Sequence, residues 1–285
     1  MKDTFRRWFV VGLTALLVSA VSCRQKEPEA DRLPAGWVQW ATPERVNSLA
    51  RKCAGASRSY NSVSVLAGEI QITANQDETG VSKPLRVDAL PFAFSPAGAG
   101  GIRSVKQTRD GWLVGFNQGE FGGSLWFVSP DGSKSTRILK EDVIRFVEVF
   151  GRLFVFTSAV PLGGQNGSIY EITDDGKIAN HLSFDAAPEI YAQDSGSSMV
   201  VAGESGVYRV SSAMTVEPIV HGGLYGFSPN SIVVMPDKTI YVGLRFFVLQ
   251  LIPRGHSYEE QWIVSKACRE FHVGSDGNNC VCDAS

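Results

Sequence analysis

Residues 102–139 read IRSVKQTRDGWLVGFNQGEFGGSLWFVSPDGSKSTRIL, and residues 144–182 read IRFVEVFGRLFVFTSAVPLGGQNGSIYEITDDGKIANHL. Laid side by side they repeat. Ile102-Arg103 matches Ile144-Arg145, and Trp112-Leu113-Val114 matches Leu153-Phe154-Val155. Gly122-Gly123 matches Gly163-Gly164, Ser124-Leu125-Trp126 matches Ser168-Ile169-Tyr170, and Asp131-Gly132 matches Asp175-Gly176. Within each copy, apolar runs of strand length are closed by Asp-Gly or Gly-Gly pairs. Those pairs suit the φ > 0 positions of tight hairpins, so each copy is expected to be a set of short antiparallel strands.

Weaker copies extend the pattern. Met199–Gly203 precedes Gly206–Val210, SIVVMPDKTIYVGLRFFVLQLIP covers 231–253, and an earlier copy takes in Ser62–Thr73 and Leu85–Phe94. Five units of roughly 35–45 residues are therefore expected from residue 60 onward. One such small sheet cannot bury both faces alone, whereas stacking copies around an axis covers them. The strings PNSIVVMPDKTIYVG and SIYEITDDGKIANHL resemble β-propeller blades. The resemblance implies an all-β fold, a propeller-like ring of about five units, over residues 60–265. A β-sandwich or open stacked sheets is the alternative architecture. Residues 74–100 are the least regular and are expected to hold a long loop.

Outward from the repeats, 42–53 (TPERVNSLARKC) reads as one short helix. Thr42 caps it, Pro43 takes the first position, and Val46, Leu49 and Cys53 share a face. Residues 24–36, polar and twice interrupted by proline, read as a flexible tether. The first 22 residues have the layout of a secretory signal: Lys2, Arg6 and Arg7, then thirteen mostly apolar residues from Trp8 to Ala20, short of the length a spanning helix needs. Ala20-Val21-Ser22-Cys23 resembles the bacterial lipobox. That resemblance implies cleavage before Cys23, acylation of its thiol (palmitate and related chains), and a protein held in the cell envelope by membrane lipid. Arg24, where Asp would favour inner-membrane retention, points to the outer membrane facing the periplasm. The expected organisation is thus signal peptide 1–22, lipidated tether 23–36, and one domain over 37–285 that ends in a cysteine-containing tail, 266–285.

Residues 1–22 hold three basic residues and one acidic, so the remaining 263 carry 24 basic and 28 acidic, a net charge of −4. With no basic run, nothing suggests a nucleic-acid partner. Apart from Cys23 there are four cysteines, Cys53, Cys268, Cys280 and Cys282. An even number in an oxidising compartment suggests two disulfides. Cys280 and Cys282 on extended chain stand about 7 Å apart, too far for a bridge. Each is therefore expected to pair with Cys53 or Cys268, in either arrangement, which clips the start of the domain to its end. A metal site on Cys268, Cys280, Cys282 and His272 is disfavoured, because its spacing lacks the paired CxxC of structural zinc sites.

Catalytic patterns are scarce. His181, His221, His256 and His272 are scattered, and no HxH, HExxH or EF-hand series occurs. Gly203-Glu204-Ser205-Gly206 only looks like a nucleophile elbow and falls in a hairpin turn. The aromatics Trp112, Trp126, Phe127, Phe154, Phe156, Tyr170 and Tyr208 have the spacing of strand cores. No catalytic residue, cofactor or metal is assigned. Three functions follow. The first is a non-catalytic binding or scaffold lipoprotein engaging a protein or envelope partner through its loops. The second is an immunity or inhibitor lipoprotein acting on a periplasmic toxin. The third is a propeller hydrolase or lactonase, which requires Asp, Glu, Asn or His side chains from several units converging on a central metal.

Overall fold

A computed structural model describes residues 33–41, 51, 54, 60–75, 89–159, 166–266, 271–273 and 280–282. The repeat resolves into small antiparallel sheets, each running in chain order. β1 (Trp37–Ala41) belongs to the last large sheet. β2 (Tyr60–Leu66) and β3 (Glu69–Asn75) form a hairpin. One four-stranded sheet follows from β4 (Ile102–Gln107), β5 (Trp112–Asn117), β6 (Ser124–Val128) and β7 (Ser135–Leu139). The next comprises β8 (Asp142–Val149), β9 (Arg152–Ala159), β10 (Asn166–Ile172) and β11 (Ile178–Phe184). A third holds β12 (Pro188–Gln193), β13 (Ser198–Gly203), β14 (Gly206–Ser211) and β15 (Val216–His221). The fourth is built of β16 (Ser231–Val234), β17 (Ile240–Gly243), β18 (Val248–Arg254) and β19 (Ser257–Ser265), with β1 added outside β19. β20 (Phe271–Val273) and β21 (Cys280–Cys282) make a last short hairpin.

The hairpins form where their turn chemistry predicts. Gly132 and Gly176 take φ of +77° and +78°. Ser129 and Thr173 each accept the turn-closing N–H of their glycine through the backbone carbonyl, at 2.9 Å. Asp131 Oδ1 accepts from Ser129 Oγ and from the Ser133 N–H at 2.6 and 3.0 Å. Such local satisfaction of a turn is what makes Ser-x-Asp-Gly a hairpin signal.

Five apolar clusters form the core. Leu113, Leu125, Val143 and Val155 join the β4–β7 sheet to the β8–β11 sheet. Phe154, Phe156, Met199 and Val201 join that sheet to β12–β15. The largest cluster, with Phe227, Phe247, Leu249 and Trp262, lies between β12–β15 and the last sheet. Val63, Tyr241 and Ile263 fix the β2–β3 hairpin to the last sheet. On the outer face of β4–β7 the irregular segment 89–101 takes the place of a sheet. Leu90, Phe92 and Phe94 alternate inward onto Trp112, Val114 and Phe116 without a ladder of their own. Phe92 meets Trp112 edge-on at 6.4 Å, and Phe94 meets Trp126 at 5.9 Å. Burial of such side chains is the dominant stabilising term.

The chain start is fastened to the chain end by backbone pairing. Trp37 opposes Ser265 and Val38 opposes Val264, while Lys266 N–H donates to Gly36 at 2.7 Å. The attachment begins before β1, since Leu33 packs on the Val63–Tyr241 cluster and Trp37 N–H donates to Pro34. Of the helix expected over 42–53, Arg51 alone is described. It is helical, as is Ala54, which is buried in the largest cluster. Cys23, Cys53 and Cys268 lie outside the described residues. Cys280 and Cys282 stand in β21, whose backbone pairs with β20 through Val273↔Cys280 and Phe271↔Cys282. Among the described residues no helix is long and apolar enough to cross a membrane.

Candidate functional site

In a four-stranded meander the first strand begins, the second turns into the third, and the fourth ends, all at one edge. Residues 102, 117, 124 and 139 mark that edge in the first large sheet, and 188, 203, 206 and 221 mark it in the third. Contacts between sheets join like edge to like. Gln118 N–H donates to Asp142 Oδ1 at 2.7 Å, tying the β5–β6 turn to the start of β8. Gly167, at the start of β10, lies so close to Ala187 and Pro188 that a Cβ there would stand 2.4 Å from the Ala187 backbone. At the opposite edge, Lys238 donates to Asp194 at 3.0 Å and Thr108 to the Asp174 carbonyl at 2.8 Å. The sheets therefore share a mouth end, where first strands begin, and a hairpin end.

Buried polar chemistry gathers at the mouth. β8 opens with a bulge: Val143 opposes Thr157 and Arg145 opposes Phe156, leaving Ile144 extra. β12 does the same at Glu189, between Pro188 opposite Gly203 and Ile190 opposite Ala202. Bulges re-aim side chains and are common beside functional sites. Arg145 and Glu189 thus come from the first strands of neighbouring sheets, and Glu204 comes from the β13–β14 turn. Burial raises the Glu189 carboxyl to about 8, with the Glu204 charge adding to it and Arg145 opposing it. Burial likewise lowers the Arg145 guanidinium. At neutral pH Glu189 is therefore a proton-bearing donor beside a carboxylate and a cation.

Two buried polar groups at this end lack a partner for one atom among the described residues. Asp142 is 1% exposed and its Oδ2 has no hydrogen bond among the described residues. Its pKa is raised by burial, against the Gln118 and Gly119 N–H groups that bind it. Asn230 is buried too. Its Oδ1 accepts from Ser231 Oγ at 2.9 Å, while its Nδ2 has no partner among the described residues. Beside Asp142, Glu141 is fully engaged, accepting Thr157 Oγ1 at 2.5 Å and Tyr170 OH at 2.6 Å. Tyr170 is correspondingly pushed up to about 12, by burial first and Glu141 second. The end is also apolar at its rim: Phe121, Ile102 and Tyr225 are 89%, 73% and 58% exposed.

The expected sites are placed as follows. Gly203-Glu204-Ser205-Gly206 is the tight β13–β14 turn, as read, yet it supplies Glu204 to the cluster. Trp112, Phe154, Phe156 and Tyr208 are buried in the core, and Trp126, Phe127 and Tyr170 are half-buried against it. His181 stacks on Tyr170 at 5.7 Å. Among the described residues, no three His, Cys, Asp or Glu side chains come together as metal ligands would. Arg145 and Glu189 went unnoticed in the sequence. Each is a charge among the opening residues of a first strand, but β8 also carries Asp142 and Glu148, so the charge alone did not single it out.

No family model matches the sequence, and no curated protein matches it. Solved structures do match at low likeness. Virginiamycin B lyase from Staphylococcus aureus is 12% identical, over 79% of this chain and 72% of that one, with a TM-score of 0.39. A calcium-binding protein, regucalcin, from Agrobacterium tumefaciens is 12% identical over 76% and 73%, with a TM-score of 0.34. A protein of unknown function from Bacteroides caccae is 12% identical over 75% and 76%, also at 0.34. Likeness at this level leaves the activities of those proteins their own.

Proposed function

We propose that the chain is a lipid-anchored envelope protein of the non-catalytic binding or scaffold kind, recognising its partner at the mouth end. The observation that carries this reading is the cluster of Arg145, Glu189 and Glu204, drawn from two neighbouring sheets. A neutral carboxyl, a carboxylate and a guanidinium side by side offer donors, an acceptor and both charges to a polar group that displaces water. The fold supplies the rigid frame. We infer that the units close as a propeller: apolar clusters join the three successive sheets from β4 to β15, the last sheet and the β2–β3 hairpin in chain order, segment 89–101 covers the free face of β4–β7, and β1 on the last sheet ties the two chain regions together. The anchor is the acylated Cys23, on the outer membrane facing the periplasm. Disulfides between Cys53 or Cys268 and Cys280 or Cys282 reinforce the same closure.

The test is a pull-down from cross-linked envelopes with the tagged full chain, beside Arg145→Ala and Glu189→Gln. A partner recovered by the parent and lost from both variants is expected. Recovery of none, or equal recovery by all three, overturns the reading. Labelled palmitate incorporated by the parent and not by Cys23→Ser checks the anchor.

A further inference from the structure

We propose that the mouth end faces the membrane that carries the anchor, with Phe121, Tyr225 and Ile102 seated in its interfacial layer. This rests on the lipid-anchored reading above. β1 pairs antiparallel to β19, and Trp37 opposes Ser265, the last residue of β19. A fourth strand ends at the mouth, so β1 starts there, and the anchor-bearing segment reaches the domain at that end. The leash is also short. Leu33 is already packed on the domain, so only residues 24–32 separate it from Cys23. Ten links at full extension span about 35 Å. The tether therefore joins the domain at the mouth, and the rim exposed there decides which end meets the headgroups.

The aromatic rim suits that position. Phe121 and Tyr225 stand in loops of different sheets with the same build. Phe121 lies between Gly119 and Gly122, with φ of +60° and +77°. Tyr225 lies between Gly223 and Gly226, with φ of +88° and +82°. A Cβ on any of these four glycines would meet nothing within 4 Å, so the glycines leave open space beside Phe121 and Tyr225, although Leu224 and Phe227 next to Tyr225 are buried in the core. A large apolar ring presented to water in this way is unfavourable until something covers it. The interfacial zone of a bilayer accepts aromatic rings, so a rim beside a lipid anchor is covered there without a further partner. Leu66, 67% exposed at the β2–β3 tip, marks the opposite end and serves as the control.

The experiment places a benzophenone amino acid at position 121, 225 or 66 of the full acylated protein, in vesicles of phosphatidylethanolamine and phosphatidylglycerol and in native envelopes. Lipid adducts at 121 and 225 but not at 66 are expected. In the same vesicles Phe121→Ser with Tyr225→Ser should raise release on washing about tenfold, and Leu66→Ser should leave it unchanged. Protein adducts at 121 and 225 in envelopes, or lipid adducts equal at all three positions, or none, overturn the proposal. Palmitate labelling of Cys23 separates the failures. With the label present, those outcomes sink the membrane-facing mouth alone; with it absent, the anchored reading falls and this proposal with it.

Discussion

At the hairpin end, Asp131 and Asp175 stand in solvent with pKa values of about 2, whereas Glu189 at the mouth is raised to about 8. Asp131 and Asp175 lie in hairpin turns of two sheets and Glu189 lies near the start of the third, and surroundings make the difference. Asp131 is held by Ser129 and Ser133, and Asp175 by Lys177 and Thr173. Each turn thereby satisfies itself. Glu189 instead sits on a bulge facing another carboxylate and an arginine. One end invests its charges in closing hairpins; the other sets opposite charges half-buried beside a raised carboxyl, at a cost in stability that a purely structural surface would not carry.

The largest test of this contrast is Glu189→Gln. In the folded chain Glu189 holds its proton to about pH 8, well above a carboxyl in the unfolded chain. The unfolded state alone ionises between about pH 4.5 and 8, so stability falls as pH rises through that window. Each unit of difference is worth about 1.4 kcal/mol, so the loss is on the order of 4 kcal/mol by pH 8.5. Urea denaturation at pH 5, 7 and 8.5 should show this slope in the parent and lose most of it in Glu189→Gln, which becomes the more stable protein at pH 8.5. Parallel slopes would break the comparison at its root.

Two glycine replacements, one at each end, separate the cost of a left-handed backbone from that of a clash. At Gly176 (φ +78°) a Cβ would lie 2.4 Å from the Phe127 ring, whereas Gly222 (φ +75°) has nothing within 4 Å. Both carry the cost of a left-handed backbone, and only the hairpin-end site adds a clash. Gly176→Ala should lower stability by about 3 kcal/mol and Gly222→Ala by about 1 kcal/mol, as read from unfolding midpoints. Next in size is Asp142→Ala at the mouth. It removes the acceptor for the Gln118 N–H and the tie between two sheets, a loss of about 2 kcal/mol. It also removes the orphaned Oδ2, so Asp142→Asn, which keeps one acceptor, should lie between parent and alanine.

The hairpin end was legible because its chemistry is local. Asp-Gly and Gly-Gly fix turns within four residues, and period-two apolar runs fix the strands between them, so strand, turn and repeat could be read together. The mouth depends on pairing over longer distances. Arg145 and Glu189 meet only because two first strands each take an extra residue and two sheets pack edge to edge. Neither bulge has a sequence mark. At Ile144 the insertion also shifts the repeat: Arg145 opposes Phe156 as Ser104, not Arg103, opposes Gly115. The fastening of chain start to chain end was expected from cysteines, and the pairing visible at that place is β1 on β19. Five apolar-polar residues, WVQWA, are too short a run to announce an outer strand for a sheet more than 200 residues away.

The smallest expected effect belongs to the hairpin end and fixes the other limit of the comparison. Asp131 and Asp175 hold their charge to lower pH in the folded chain than in the unfolded one, so what they contribute is present above about pH 4 and disappears as pH falls through about 2. Both are fully in solvent, where water and salt weaken the gain. Asp131→Ala and Asp175→Ala should therefore shift the unfolding midpoint at pH 7 less than Asp142→Ala does. Their difference from the parent should vanish when the midpoint is measured near pH 2. The direction is opposite to that of Glu189→Gln, whose difference from the parent grows toward high pH. If the turn variants matched the mouth variants in size or in pH direction, the two ends would be handling their charge alike, and the mouth would lose its claim to be set apart for binding.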